Sequence, residues 1–190
     1  MIAYLRWSFS FFWRVFTMKW FYLFIFLSAT LFAEDQVTNQ PEFEKDDSHN
    51  FIALGPVTRD QILTLNVFKQ RMSKYEPSSS AIQEIQTYPQ PVEIKVVFGD
   101  WCKDSKQHVP AFMKVMDTAA NPNIKISYIN VDREKKEPAS FVIPLKIQNV
   151  PTFIVLSGNQ EKGRIVETPK TTVEQDLADI LMGVSTESPY

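Results

Sequence analysis

The stretch FGDWCKDS, residues 98–105, holds the only cysteine of this 190-residue chain, Cys102, with a serine, Ser105, three positions later. A cysteine thiolate attacks disulfide sulfur, and its reactivity is set by its surroundings. The run VEIKVVF (92–98) precedes the cysteine, and Val109, Phe112, Met113 and Met116 follow it at helical intervals. The spacing predicts a strand, a tight loop and a helix, with Cys102 in the helix's first turn. The positive end of the macrodipole and its unbonded N–H groups favour thiolate over thiol there. Ser105 cannot attack a mixed disulfide near neutral pH. A disulfide formed at Cys102 therefore needs a resolving thiol from outside: glutathione, another protein, or a second cysteine of the substrate. Net dithiol oxidation by this chain alone is excluded, and no cofactor is called for.

The elements that must position this loop follow from periodicity. IKISYINV (124–131), TFIVLS (152–157) and GRIVET (163–168) read as strands, the last after Gly158-Asn159. Val173, Leu177, Ile180 and Leu181 mark a final helix, with Thr171 or Thr172 as its N-cap. Upstream, Thr58 and Gln61 form a capping-box pattern, and Ile62, Leu65, Phe68, Met72 and Tyr75 continue one amphipathic helix to the breaker EPSSS. Residues 81–88 add a short second helix. This order implies an α/β fold with a central mixed sheet flanked by helices.

Trp101-Cys102-x-x-Ser105 between a strand and a helix, Pro110 eight residues after the cysteine, and NVPTF at 149–153 together resemble the thioredoxin family. The likeness covers about residues 90–185. It implies a thioredoxin-like fold carrying an extra N-terminal helical segment. It also implies a cis Val150-Pro151 bond that brings Pro151 against the Cys102 sulfur, and a Val150 backbone that pairs, with Thr152 beside it, with an extended substrate. Cys102 is the implied catalytic residue, and Trp101 packs the loop and shapes the substrate surface. Ser105 either hydrogen-bonds the sulfur and tunes it, or caps the helix or fills space. Two departures stand out: Val96 occupies the place of the family's buried acid, and Asp104 lies where a small residue or proline is usual. An acid so near the sulfur opposes thiolate formation, and Lys103 and Lys106 offset it. His108 reads as solvent-facing, turned away from the sulfur by its spacing.

The first 33 residues are compositionally foreign. They hold three of the four tryptophans, eight of the fifteen phenylalanines and three basic residues without an acid, ending in the uncharged run Trp20–Ala33. Such a segment reads as an export signal, cleaved after Ala33 or retained as an anchor. The remainder has 17 basic against 22 acidic residues. Nothing in it resembles a nucleic-acid surface, and no metal-ligand cluster is visible. The expected organisation is a signal at 1–33, an acidic tether at 34–57, a helical extension at 58–89, the thioredoxin-like domain at 90–185 and a tail at 186–190. The expected setting is the cell envelope, periplasmic in a Gram-negative host, for a monomer touching membrane only through an uncleaved signal. Expected partners are cysteine-containing proteins or low-molecular-weight thiols. The competing reading is a catalytically silent peptide-binding or scaffolding module; a single-cysteine peroxidase is a weaker third, because the peroxiredoxin Thr or Ser spacing is missing.

Overall fold

The computed structural model describes residues 42–45 and 51–184. The expected signal and tail lie outside the described residues. Strands β1 (Glu42–Lys45) and β2 (Phe51–Val57) come first, then helices α1 (Arg59–Leu63), α2 (Asn66–Lys74) and α3 (Ser79–Thr87). Strand β3 (Val92–Phe98), helix α4 (Lys103–Ala119) and strand β4 (Ile124–Asn130) follow. Helix α5 (Ala139–Leu145), strands β5 (Thr152–Ser157) and β6 (Gln160–Val166) and helix α6 (Val173–Met182) complete the order. The strands lie in the order β1-β2-β4-β3-β5-β6, with β3 and β4 parallel and every other neighbour antiparallel. A parallel pair needs a long crossover, and α4 supplies it.

Side chains on β3 alternate between two cores, as the two-residue period of a strand requires. Ile94, Val96 and Phe98 join the cluster formed with α1–α4 and α6, while Val97 joins Ile129, Val142, Val150 and Ile154 on the face covered by α5. Phe68 of α2 meets Phe98 edge-on at 6.0 Å, and Phe112 of α4 lies 5.1 Å from Phe153. The helices of 59–87 thus enlarge the main core.

Three sequence expectations are corrected. The helix expected across 58–75 is two helices: the Thr58–Gln61 capping box forms, but Leu65 adopts an extended conformation and starts a second helix. Leu65 is itself buried, so the break points an apolar side chain inward. The expected tether contains β1 and β2. The run FIALGPV stays in strand through Gly-Pro, with Gly55 at φ 93°, a backbone conformation that favours glycine. Strand β6 begins three residues earlier than expected, because Gln160, Glu161 and Lys162 form the exposed, polar end of a hairpin.

Candidate active site

Helix α4 starts where β3 ends, and Cys102 is its N-cap residue, with φ −79° and ψ 131°. Its backbone N–H donates to Gly99 O at 3.0 Å and its carbonyl accepts from Lys106 N at 3.0 Å, which closes the loop into the helix. The side chain makes no capping bond. Sγ instead donates to the Val150 carbonyl at 3.2 Å. Val150-Pro151 is a cis peptide, so the loop before β5 and the N-terminus of α4 meet at the sulfur. Cys102 is half-buried and packs against the smaller core.

Ser105 is 0% exposed, and its hydroxyl accepts from Gly99 N at 3.2 Å. Through this bond Ser105 fastens the preceding loop, a partner that the sequence did not indicate. Trp101 bridges outward, its Nε1 donating to Val131 O at 3.0 Å while the Arg133 guanidinium lies 5.7 Å from the ring centroid. The indole packs so closely on Gly99 that a Cβ there would overlap it.

Thr152, expected in substrate binding, is 1% exposed and donates from Oγ1 to Asn149 O at 2.6 Å. Its hydroxyl therefore shapes the loop that carries Val150 and Pro151. The Val150 side chain is buried in the smaller core, so only its backbone is placed for a substrate. Glu167 N closes the other side of this loop on Pro151 O at 2.8 Å. Val96 lies fully buried in the main core, with no carboxylate in its place. His108 is half-buried rather than solvent-facing. Burial lowers its pKa, with Arg71 acting in the same direction and Asp104 opposing.

Asn130 escaped the sequence reading. It ends β4, is 1% exposed, accepts from Asp100 N at 3.2 Å through Oδ1 and donates through Nδ2 to Ala53 O at 3.2 Å. An asparagine following the apolar pair Tyr128-Ile129 at the strand's end was the available signal, since buried amides are almost always bonded. The cis Glu137-Pro138 bond, in the loop that places Arg133 over Trp101, also carried no sequence mark beyond the proline itself. Among the described residues no cluster of potential metal ligands occurs.

The Thioredoxin family profile matches residues 58–179, so the helices expected as an extension lie within the matched region. No curated protein matches the chain. Among solved structures, a protein of unknown function from Pseudomonas aeruginosa is 19% identical, with TM-score 0.46, over 67% of this chain and 85% of its own. Trxlp from Edwardsiella tarda is 19% identical, with TM-score 0.39, over 56% of this chain and 96% of its own. Thioredoxin f from spinach chloroplast is 20% identical, with TM-score 0.38, over 53% of this chain and 77% of its own. With the profile spanning more than half of the sequence and the mixed α/β sheet in place, the chain belongs to the thioredoxin family.

Proposed function

We propose that the family's thiol–disulfide chemistry runs here in a monothiol form through Cys102, acting on cysteine-containing proteins or low-molecular-weight disulfides. The Cys102 thiolate attacks one sulfur of R–S–S–R′. The Cys102–S–S–R bond forms as the substrate S–S bond breaks, and R′S⁻ leaves to be protonated by water. An external thiolate R″S⁻ then attacks the R sulfur, releases R–S–S–R″ and regenerates Cys102. Whether the outcome is isomerisation, reduction or deglutathionylation depends on the identity of R″ and not on this chain.

The observation that carries this reading is the sulfur of the half-buried Cys102, 3.2 Å from the Val150 carbonyl, with the Ser105 hydroxyl accepting from Gly99 N. An extended substrate strand pairing with Val150 would place its N–H at that same carbonyl. Substrate docking and release of the thiol proton then favour one another at a single atom. The setting we propose is the cell envelope, supported by the basic-then-apolar composition of residues 1–33.

The test is intact-mass analysis of the full chain after exposure to oxidised glutathione, alongside Cys102→Ser. One glutathione adduct, removed by reduced glutathione and missing from the variant, is expected. Absence of the adduct, together with a Cys102→Ser chain that keeps full activity in cells, would replace exchange by a peptide-binding role.

A further inference from the structure

The loop that presents Cys102 is anchored from outside the matched region. Strand β2, residues 51–57, precedes the first matched residue, Thr58. It lies antiparallel to β4 with Gly55 opposite Asn130. The Asn130 amide spans the gap between β2 and the cysteine loop, taking Asp100 N–H on Oδ1 and giving Nδ2–H to Ala53 O, both at 3.2 Å. Only this orientation satisfies both partners; the flipped amide would set donor against donor and acceptor against acceptor. Two residues later in the loop comes the sulfur. The same strand also neighbours Pro138, on the loop carrying Arg133 to the Trp101 ring: a Cβ built on Gly55 would lie 3.4 Å from the Pro138 Cγ.

From this arrangement we propose that Asn130 is a positioning residue for Cys102, tying β2 to the reactive loop and thereby fixing the sulfur against the Val150 carbonyl. The proposal rests on the exchange reading and adds the group that holds the nucleophile in place. Ser105 and Trp101 fasten Gly99 and the indole to residues inside the matched region. Asn130 reaches beyond it, so the N-terminal strand becomes part of the site's support. Small displacements of a reacting atom cost rate steeply, on the order of a hundredfold for 1 Å.

The full chain is compared with Asn130→Ala, Asn130→Asp and the control Tyr75→Phe. The readout is the rate of Cys102 modification of folded protein by oxidised glutathione and, separately, by iodoacetamide. Asn130→Ala should slow the glutathione reaction about tenfold or more. A buried aspartic acid keeps an acceptor for Asp100 and, while protonated, a donor for Ala53; ionisation sets a negative oxygen against the Ala53 carbonyl. The ratio of the Asn130→Asp rate to the wild-type rate should therefore start near one at about pH 5 and fall as pH rises. Tyr75→Phe should lower stability and leave both rates unchanged, separating loss of stability from loss of position. Wild-type rates in Asn130→Ala, or a ratio that stays flat with pH, overturn the proposal. Should Asn130→Ala not fold, the Asn130→Asp ratio decides alone. A wild-type chain forming no glutathione adduct refutes exchange itself, and the iodoacetamide rates then still decide the role of Asn130.

Discussion

Replacing Gly99 by alanine should change the sign of its effect according to what stands at position 101. A methyl carbon built on Gly99 falls 2.6 Å from Nε1 and 2.8 Å from Cζ2 of Trp101, closer than real carbon contacts allow. Gly99 has no positive φ, so alanine suits its backbone and, without the indole, would stabilise by about 0.4–1 kcal/mol through the unfolded chain. With the indole present, Trp101 must swing away and give up its bond to Val131 O. That leaves a buried carbonyl unpaired at about 1–3 kcal/mol. The Arg133 stacking adds about 0.5–1 kcal/mol at an exposed site. The net expectation for Gly99→Ala is a loss of about 1–3 kcal/mol, or roughly 3–10 °C in Tm for a chain of this size. In the Trp101→Ala background the same substitution should stabilise. Thermal and urea melts of the four chains give the coupling directly. If Gly99→Ala costs the same in both backgrounds, the close packing of the indole on this glycine is not what excludes a side chain, and the account of the loop fails.

Ser105→Ala should cost about 1–3 kcal/mol in urea melts, because the buried Gly99 N–H loses its acceptor. Thr152→Val, nearly equal in volume, should cost about 1–2 kcal/mol by removing the 2.6 Å bond to Asn149 O, and should slow glutathione exchange at Cys102. Tyr75 donates to the buried Glu174 carboxylate at 2.7 Å, and burial, that bond and the nearby charge all raise its pKa above the usual 10.0. Folded protein holds this proton where unfolded chain releases it, so the stabilisation is complete below about pH 10 and is lost as pH rises beyond it. Alkaline melts of Tyr75→Phe should show a shallower decline, with Tyr128, raised mainly by burial, accounting for part of what remains.

How much of this was legible in the sequence depended on whether a residue's role was local. Strand β3 and the start of α4 follow from the alternation and helical stripe around Cys102, and their bounds agree with that reading. The Thr58 capping box was readable because both partners lie three residues apart. Leu65 broke the helix against its periodicity, since its burial is decided by the packed core and not by neighbours in sequence. The strand at 51–57 lay inside the expected tether because its pairing partner, β4, is more than seventy residues away in sequence. Asn130 and Ser105 show the same limit within the site. Asn130 bonds Ala53 and Asp100, residues that only the fold brings beside it, and Ser105 bonds the backbone of Gly99, which residue type alone does not reveal.

The polar groups around the sulfur divide by task. Ser105, Asn130 and Thr152 each bond a backbone atom of the two loops that meet at Cys102, while Trp101 and the second bond of Asn130 tie the site outward to Val131 O and Ala53 O. The sulfur's own bond also goes to backbone, at Val150. Val96 supplies no carboxylate beneath it, and His108 lies six residues along α4, where the 3.6-residue turn carries it to a different face of the helix. Geometry around the sulfur is thus held by hydrogen bonds to backbone, and Val96 offers no carboxylate as a base. A family member with one sulfur gains from this division. Under the proposed monothiol exchange the resolving thiol enters from solution, and a sulfur held in place by backbone bonds serves that exchange without an internal relay.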